Sequence, residues 1–93
     1  MSIEIADIVT SLNGRDKDKN FIVMAVEDEY CILVDGKGRR IDKPKRKKNK
    51  HLKLECRAED RVAEKLRNGE KVTNNEIRLA LTKFNAEQEE GGM

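Results

Sequence analysis

Between Leu54 and Ala58 the apolar pattern of this 93-residue chain changes period. Up to that point, short runs rich in β-branched residues are separated by turn formers and charges: Asp7 to Leu12, Phe21 to Val26 and Tyr30 to Val34, then His51-Leu52-Lys53-Leu54 with its two-residue alternation. Asp35-Gly36 is a hairpin signal, because glycine supplies the positive φ of the turn, and it predicts that Arg39 to Ile41 returns antiparallel to Tyr30 to Val34. Pro44 should end that strand or place it on an edge. Four or five strands with connections this short fit a small antiparallel barrel better than a parallel sheet. After Ala58 the period becomes helical. Val62 and Leu66 lie four apart in a helix expected over Ala58 to Asn68, with Gly69 at the left-handed C-terminal cap. Thr73-Asn74-Asn75-Glu76 fits the reciprocal capping box, Val72 and Ile77 take the staple positions, and Ile77, Ala80, Leu81 and Phe84 form one apolar stripe. The expected fold is mainly β, with a C-terminal pair of short helices. Its organisation is a β unit over 1–56, a helical extension over 57–87 and a flexible tail over 88–93.

Charge is the second constraint. Residues 37–53 hold ten basic side chains against one acid, Asp42, and carry +9, whereas the whole chain, with 20 basic and 18 acidic residues, is only +2. Everything outside the segment therefore sums to −7. A cationic surface of this density is the footprint of a polyphosphate partner, since each Lys or Arg on a phosphate releases a condensed counterion. The like charges, Asn49 and Pro44 predict that the run has no regular structure in the free protein and orders on its ligand.

At 37% hydrophobic and 41% charged, with Phe21, Tyr30 and Phe84 as its aromatics, the chain has room for one modest core. No apolar run approaches a membrane span, and 1–8 lacks the order of a signal peptide, so a cytoplasmic protein with free Cys31 and Cys56 is expected. Cys31, Cys56 and His51 show no paired ligand spacing for a metal, and nothing suggests a cofactor. Catalysis has little support: His51 is the one histidine and stands among lysines. Asp16 and Asp18 alternate with Lys17 and Lys19, which reads as self-compensated loop charge.

Ile8-Val9 before Gly14-Arg15-Asp16-Lys17-Asp18-Lys19, then Phe21 to Val26, Tyr30 to Gly36 and the basic Lys43-Pro44-Lys45, resembles the KOW-domain RNA-binding proteins of bacteria. These are similar to the KOW-bearing large-subunit ribosomal proteins of archaea and eukaryotes. The resemblance covers about Asp7 to Leu54, and Thr73 to Leu81 looks like the helical extension of some members. It implies an SH3-like barrel of four to five strands, a ribosome-associated role in translation, and ribosomal RNA as the first candidate partner; the protein itself is expected to be a monomer. One departure is Asp18, where the family usually has glycine. Asp tolerates the left-handed region, but its charge weakens the loop as a phosphate cradle.

The expected interface therefore centres on the later run. Arg39, Arg40 and Arg46 can fork two hydrogen bonds onto a phosphate, while Lys37, Lys43, Lys45, Lys47, Lys48 and Lys50 act as point charges and His51 as one more contact. Arg15, Lys17 and Lys19 give supporting contacts. With few aromatics on which to stack unpaired bases, shape and backbone recognition of structured RNA fits best. The alternative is a protein-interaction module of the transcription or translation machinery, whose basic loop would meet an acidic partner such as a ribosomal or other translation protein.

Overall fold

The structure, a computed structural model, describes residues 2–91. Five strands, β1 (Asp7–Ser11), β2 (Asn20–Glu27), β3 (Tyr30–Val34), β4 (Lys45–Lys48) and β5 (Leu52–Arg57), form one antiparallel sheet in the order β4-β3-β2-β1-β5. Two helices follow, α1 (Arg61–Arg67) and α2 (Asn74–Gly91). The mainly β architecture with two helices is as the sequence predicts. No described helix is long and apolar enough to cross a membrane.

The fourth strand departs from expectation. Residues 39–41 are not extended; they belong to a loop closed on Asp35, whose Oδ1 accepts from the backbone N–H groups of Lys37 and Arg39 at 2.9 Å each. The strand that returns beside β3 is Lys45–Lys48, inside the run expected to lack regular structure. Pro44 lies immediately before it, a position where the missing N–H costs no ladder bond. The edge location lets four consecutive basic side chains adopt a strand, because each reaches either solvent or an acid.

Period-two side-chain alternation gives the sheet two buried faces. Ile8, Ile22 and Val34 lie under the α2 stripe of Ile77, Ala80, Leu81 and Phe84. Full burial of each large member of that stripe contributes about 1.5–3 kcal/mol. On the other face Val9, Phe21, Val23, Cys31, Leu33 and Leu52 form a second cluster. Phe21, Val23, Cys31 and Leu33 are at most 1% exposed. The α2 stripe belongs to the opposite cluster, so this burial comes from the sheet curling over itself, helped by bulges at Ile8/Val9 and Val23/Ala25. Yet the sheet is open: β4 and β5 are its two edges, joined in sequence by a single 3₁₀ turn, Asn49–His51. Cys31 and Cys56 stay unpaired, in contact with different clusters.

The helix ends follow local chemistry. α1 starts at Arg61 rather than at Ala58, since Asp60 is extended and its side chain accepts from the Ala63 N–H at 3.0 Å. It ends in a left-handed Gly69 (φ 73°), with Gly69 N–H on Leu66 O and Glu70 N–H on Lys65 O. The capping box is formed in both directions: Glu76 N–H donates to Thr73 Oγ1 at 3.1 Å and Thr73 N–H to Glu76 Oε1 at 3.0 Å. α2 continues to Gly91, so most of the segment expected as a flexible tail is helical, and 92–93 lie outside the described residues.

The N-terminus of α2 also holds the β3–β4 loop. Arg78 donates to Gly36 O at 2.7 Å and the Ile41 N–H donates to Asn74 Oδ1 at 2.8 Å. Gly36 has φ 80°, and a Cβ there would stand 2.5 Å from Asn74 O. Gly36→Ala is expected to cost about 2 kcal/mol or more in urea unfolding, from left-handed strain and the backbone clash together. A neutral result would mean that this turn does not pack on α2.

Candidate nucleic-acid interface

The β1–β2 loop, residues 12–19, begins and ends on Ser11, whose N–H donates to Lys19 O at 3.0 Å and whose carbonyl accepts from Asp18 N–H at 2.8 Å. Asp18 takes the left-handed conformation (φ 71°), so the turn forms without a glycine at this position. The loop points Asp16 inward. Its Oδ1 accepts from Ser11 Oγ at 2.8 Å and from Lys47 Nζ at 3.0 Å, and Lys45 Nζ lies 3.0 Å from Oδ2. Asp16 thus pairs with β4 rather than with Lys17 and Lys19, which corrects the reading of the loop as self-compensated. Burial pushes the Asp16 carboxyl up, but the bonds from Lys47, Ser11 and Lys45 outweigh it and hold the group well below the ordinary carboxylate range.

This pairing sorts the basic run by strand alternation. Lys45 and Lys47 point to the Asp16 side, and the Lys47 side chain, only 10% exposed, also donates to Asn13 O at 2.9 Å. Lys47 is therefore an internal tie and not the exposed phosphate contact expected of it. Arg46 points the other way, its guanidinium 3.7 Å from the Tyr30 ring centre and its Nε 3.4 Å from Glu27 Oε1. Lys48 and Lys50 line a depression with the acidic Asp28 and Glu29, and Asn13 Nδ2 lies 2.9 Å from His51 Nδ1.

The free cations gather elsewhere. Arg15, Lys19 and Arg39, joined by the Asp16-paired Lys45, surround a depression of about 280 Å³ with Phe21 in its wall. It adjoins a second depression through shared Lys19, Asp35 and Gly38, and there Lys37 and Arg78 add their charge. Six cations meet three carboxylates here, Asp16, Asp18 and Asp35, two of which already accept internal bonds. Lys17, Arg40 and Lys43 are exposed on the same two loops. Among the described residues Arg15, Lys17, Lys19, Lys37, Arg39, Arg40 and Lys43 make no ion pair. The structure thus brings Arg15 and Lys19 of the first loop together with the start of the basic run, ties His51 to the base of that loop at Leu12 and Asn13, and leaves Lys48 and Lys50 in a separate depression. Arg78 is not among the residues that the sequence singles out. Nothing local marks it, because its position depends on α2 docking against Gly36.

No protein-family model matches the sequence, and a search of curated proteins returns no match.

Asp16→Asn should cost about 3 kcal/mol at pH 7, since it leaves the shielded Lys47 ammonium without its counter-charge. Its pH signature is specific. Because the folded carboxyl is more acidic than the unfolded one, its contribution is complete above the ordinary value of 3.8 and is lost as pH falls below it towards the folded value. Urea unfolding across pH 2–6 should show a shallower decline below pH 4 for the variant than for the parent. Parallel curves would remove Asp16 from this role.

Proposed function

We propose that the protein is a non-enzymatic RNA-binding module that docks on structured RNA through the β1–β2 and β3–β4 loops. The observation that carries this reading is the convergence of exposed, unpaired cations from two loops far apart in sequence onto adjoining depressions. Their side chains suit phosphate: Arg15 and Arg39 offer planar forks, and Lys19 and Lys37 flexible point charges. Phosphate contacts of this kind position a protein without reading bases, which fits recognition by shape.

The fold supports a KOW-type reading. A five-stranded curled sheet whose two edge strands are consecutive in the chain stands one ladder short of a closed barrel, the SH3-like form that the resemblance implies. On that resemblance ribosomal RNA is the first candidate, and a cytoplasmic, ribosome-associated monomer the natural context. The site residues then regroup. Arg15, Lys17, Lys19, Lys37, Arg39, Arg40 and Lys43 carry the phosphate contacts, and Lys45 sits on the rim while tied to Asp16.

Replacing Arg15, Lys19, Lys37 and Arg39 together by Gln tests the proposal. None of the four side chains makes an ion pair among the described residues, so circular dichroism should show the fold intact. In a salt titration against a labelled RNA hairpin, affinity should fall and the slope of log K on log salt shrink by roughly three units, at about 0.7–0.9 per lost contact. An unchanged slope would move the interface off these loops. Absence of salt-dependent binding in the parent would favour an acidic protein partner.

A further inference from the structure

Helix α2 covers only part of its face of the sheet. It packs over Ile22 and Val34, which are register partners on β2 and β3. Further along the same face, Ala25, Ile32 and Arg46 form one cross-strand row and Glu27, Tyr30 and Lys48 the next. Tyr30 and Ile32 are half-buried, and the Arg46 side chain is 57% exposed. At 3.7 Å from the ring centre the guanidinium is in face contact with Tyr30, and Glu27 Oε1, 3.4 Å from its Nε, fixes its in-plane direction. Lys48 Nζ stands 5.8 Å from the same ring.

The arrangement leaves a planar, oriented cation with one face on an aromatic ring and the other towards solvent. Unpaired nucleobases stack on such aromatic and guanidinium planes, and stacking tolerates any base because each has a π face. The neighbouring Lys48 is placed to meet the phosphate of a base seated there. Arg46 directly follows Lys45, which lines the cationic depression, so a phosphate backbone held there reaches the stack by passing over the β4 edge.

We infer that the Tyr30–Arg46 stack is a platform for one unpaired nucleobase, so that bulged or looped RNA is preferred over continuous duplex. The inference rests on the RNA-binding reading above and adds a ligand class to it. A stack that only braced the edge strand would give no such preference.

Three labelled RNA duplexes of one stem sequence test it: fully paired, with a single bulged adenosine, and with an abasic residue at the bulge. The bulged adenosine should bind roughly 10-fold more tightly than the other two. It alone should quench the emission of Tyr30, the one tyrosine of a chain without tryptophan. Tyr30→Leu and Arg46→Lys should each bring the bulged-to-paired ratio close to one. Arg46→Lys keeps the charge and removes only the plane, so it decides the matter even if Tyr30→Leu unfolds. Equal affinity of the parent for the three duplexes, or a preference that survives Arg46→Lys, overturns the platform while leaving salt-dependent RNA binding standing. Failure to bind any of the three overturns the RNA reading itself.

Discussion

The fold's charged half hangs on one carboxylate. Asp16 draws Lys45 and Lys47 across from the edge strand and ties the β1–β2 loop to them, so two segments that would otherwise be solvated loops share a fixed geometry. Withdrawing three charges from water is costly, and mutual attraction offsets the cost only if the remaining polar capacity is met. Ser11 Oγ on the carboxylate and Asn13 O on Lys47 meet part of it, and Asp16 Oδ2, which accepts no hydrogen bond, has the Lys45 ammonium 3.0 Å away. The arrangement specifies position more than it adds net stability. Without it, the basic strand would have its ladder with β3 and the Arg46 contacts to Tyr30 and Glu27 to hold it against its own repulsion.

That fixation divides the labour among cations that look equivalent in the sequence. Lys45 and Lys47 organise, Arg46 stacks, and the cations of the β3–β4 loop make no ion pair among the described residues. Helix α2 completes the division, since Asn74 and Arg78 hold the loop from beneath by its backbone and leave its side chains unencumbered. The helices are thus joined mechanically to the cationic surface as well as to the core.

The sequence was most legible where local chemistry is self-sufficient. The capping box at Thr73 and Glu76, the left-handed Gly69 and the stripe from Ile77 to Phe84 all depend on residues within a turn or two of one another, and all are present. The strand Lys45–Lys48 was illegible for a physical reason. Strands announce themselves by contrast between their two faces, and here both faces are basic, one satisfied by Asp16 and the other by Tyr30 and Glu27. Hydropathy registers no contrast, so the run reads as solvated coil. The hairpin signal at Asp35-Gly36 points to Arg39 to Ile41, but the Asp35 side chain satisfies that turn and keeps those residues in a loop, a contact that hydropathy does not register. At the candidate site the loops were legible by charge, but Arg78 belongs to it only through tertiary packing.

An open sheet leaves two rows of unpaired backbone groups, and β4 guards one of them with four consecutive cations. Another copy of the chain approaching that edge meets its own charge reflected, which discourages strand-to-strand association. The guard is only as long as the Debye length, about 10 Å at 0.1 M salt and about 3 Å at 1 M. Ionic strength therefore sets how well this edge is guarded: on the proposed RNA reading, the salt that would detach a phosphate ligand also lowers the barrier to pairing of two β4 edges.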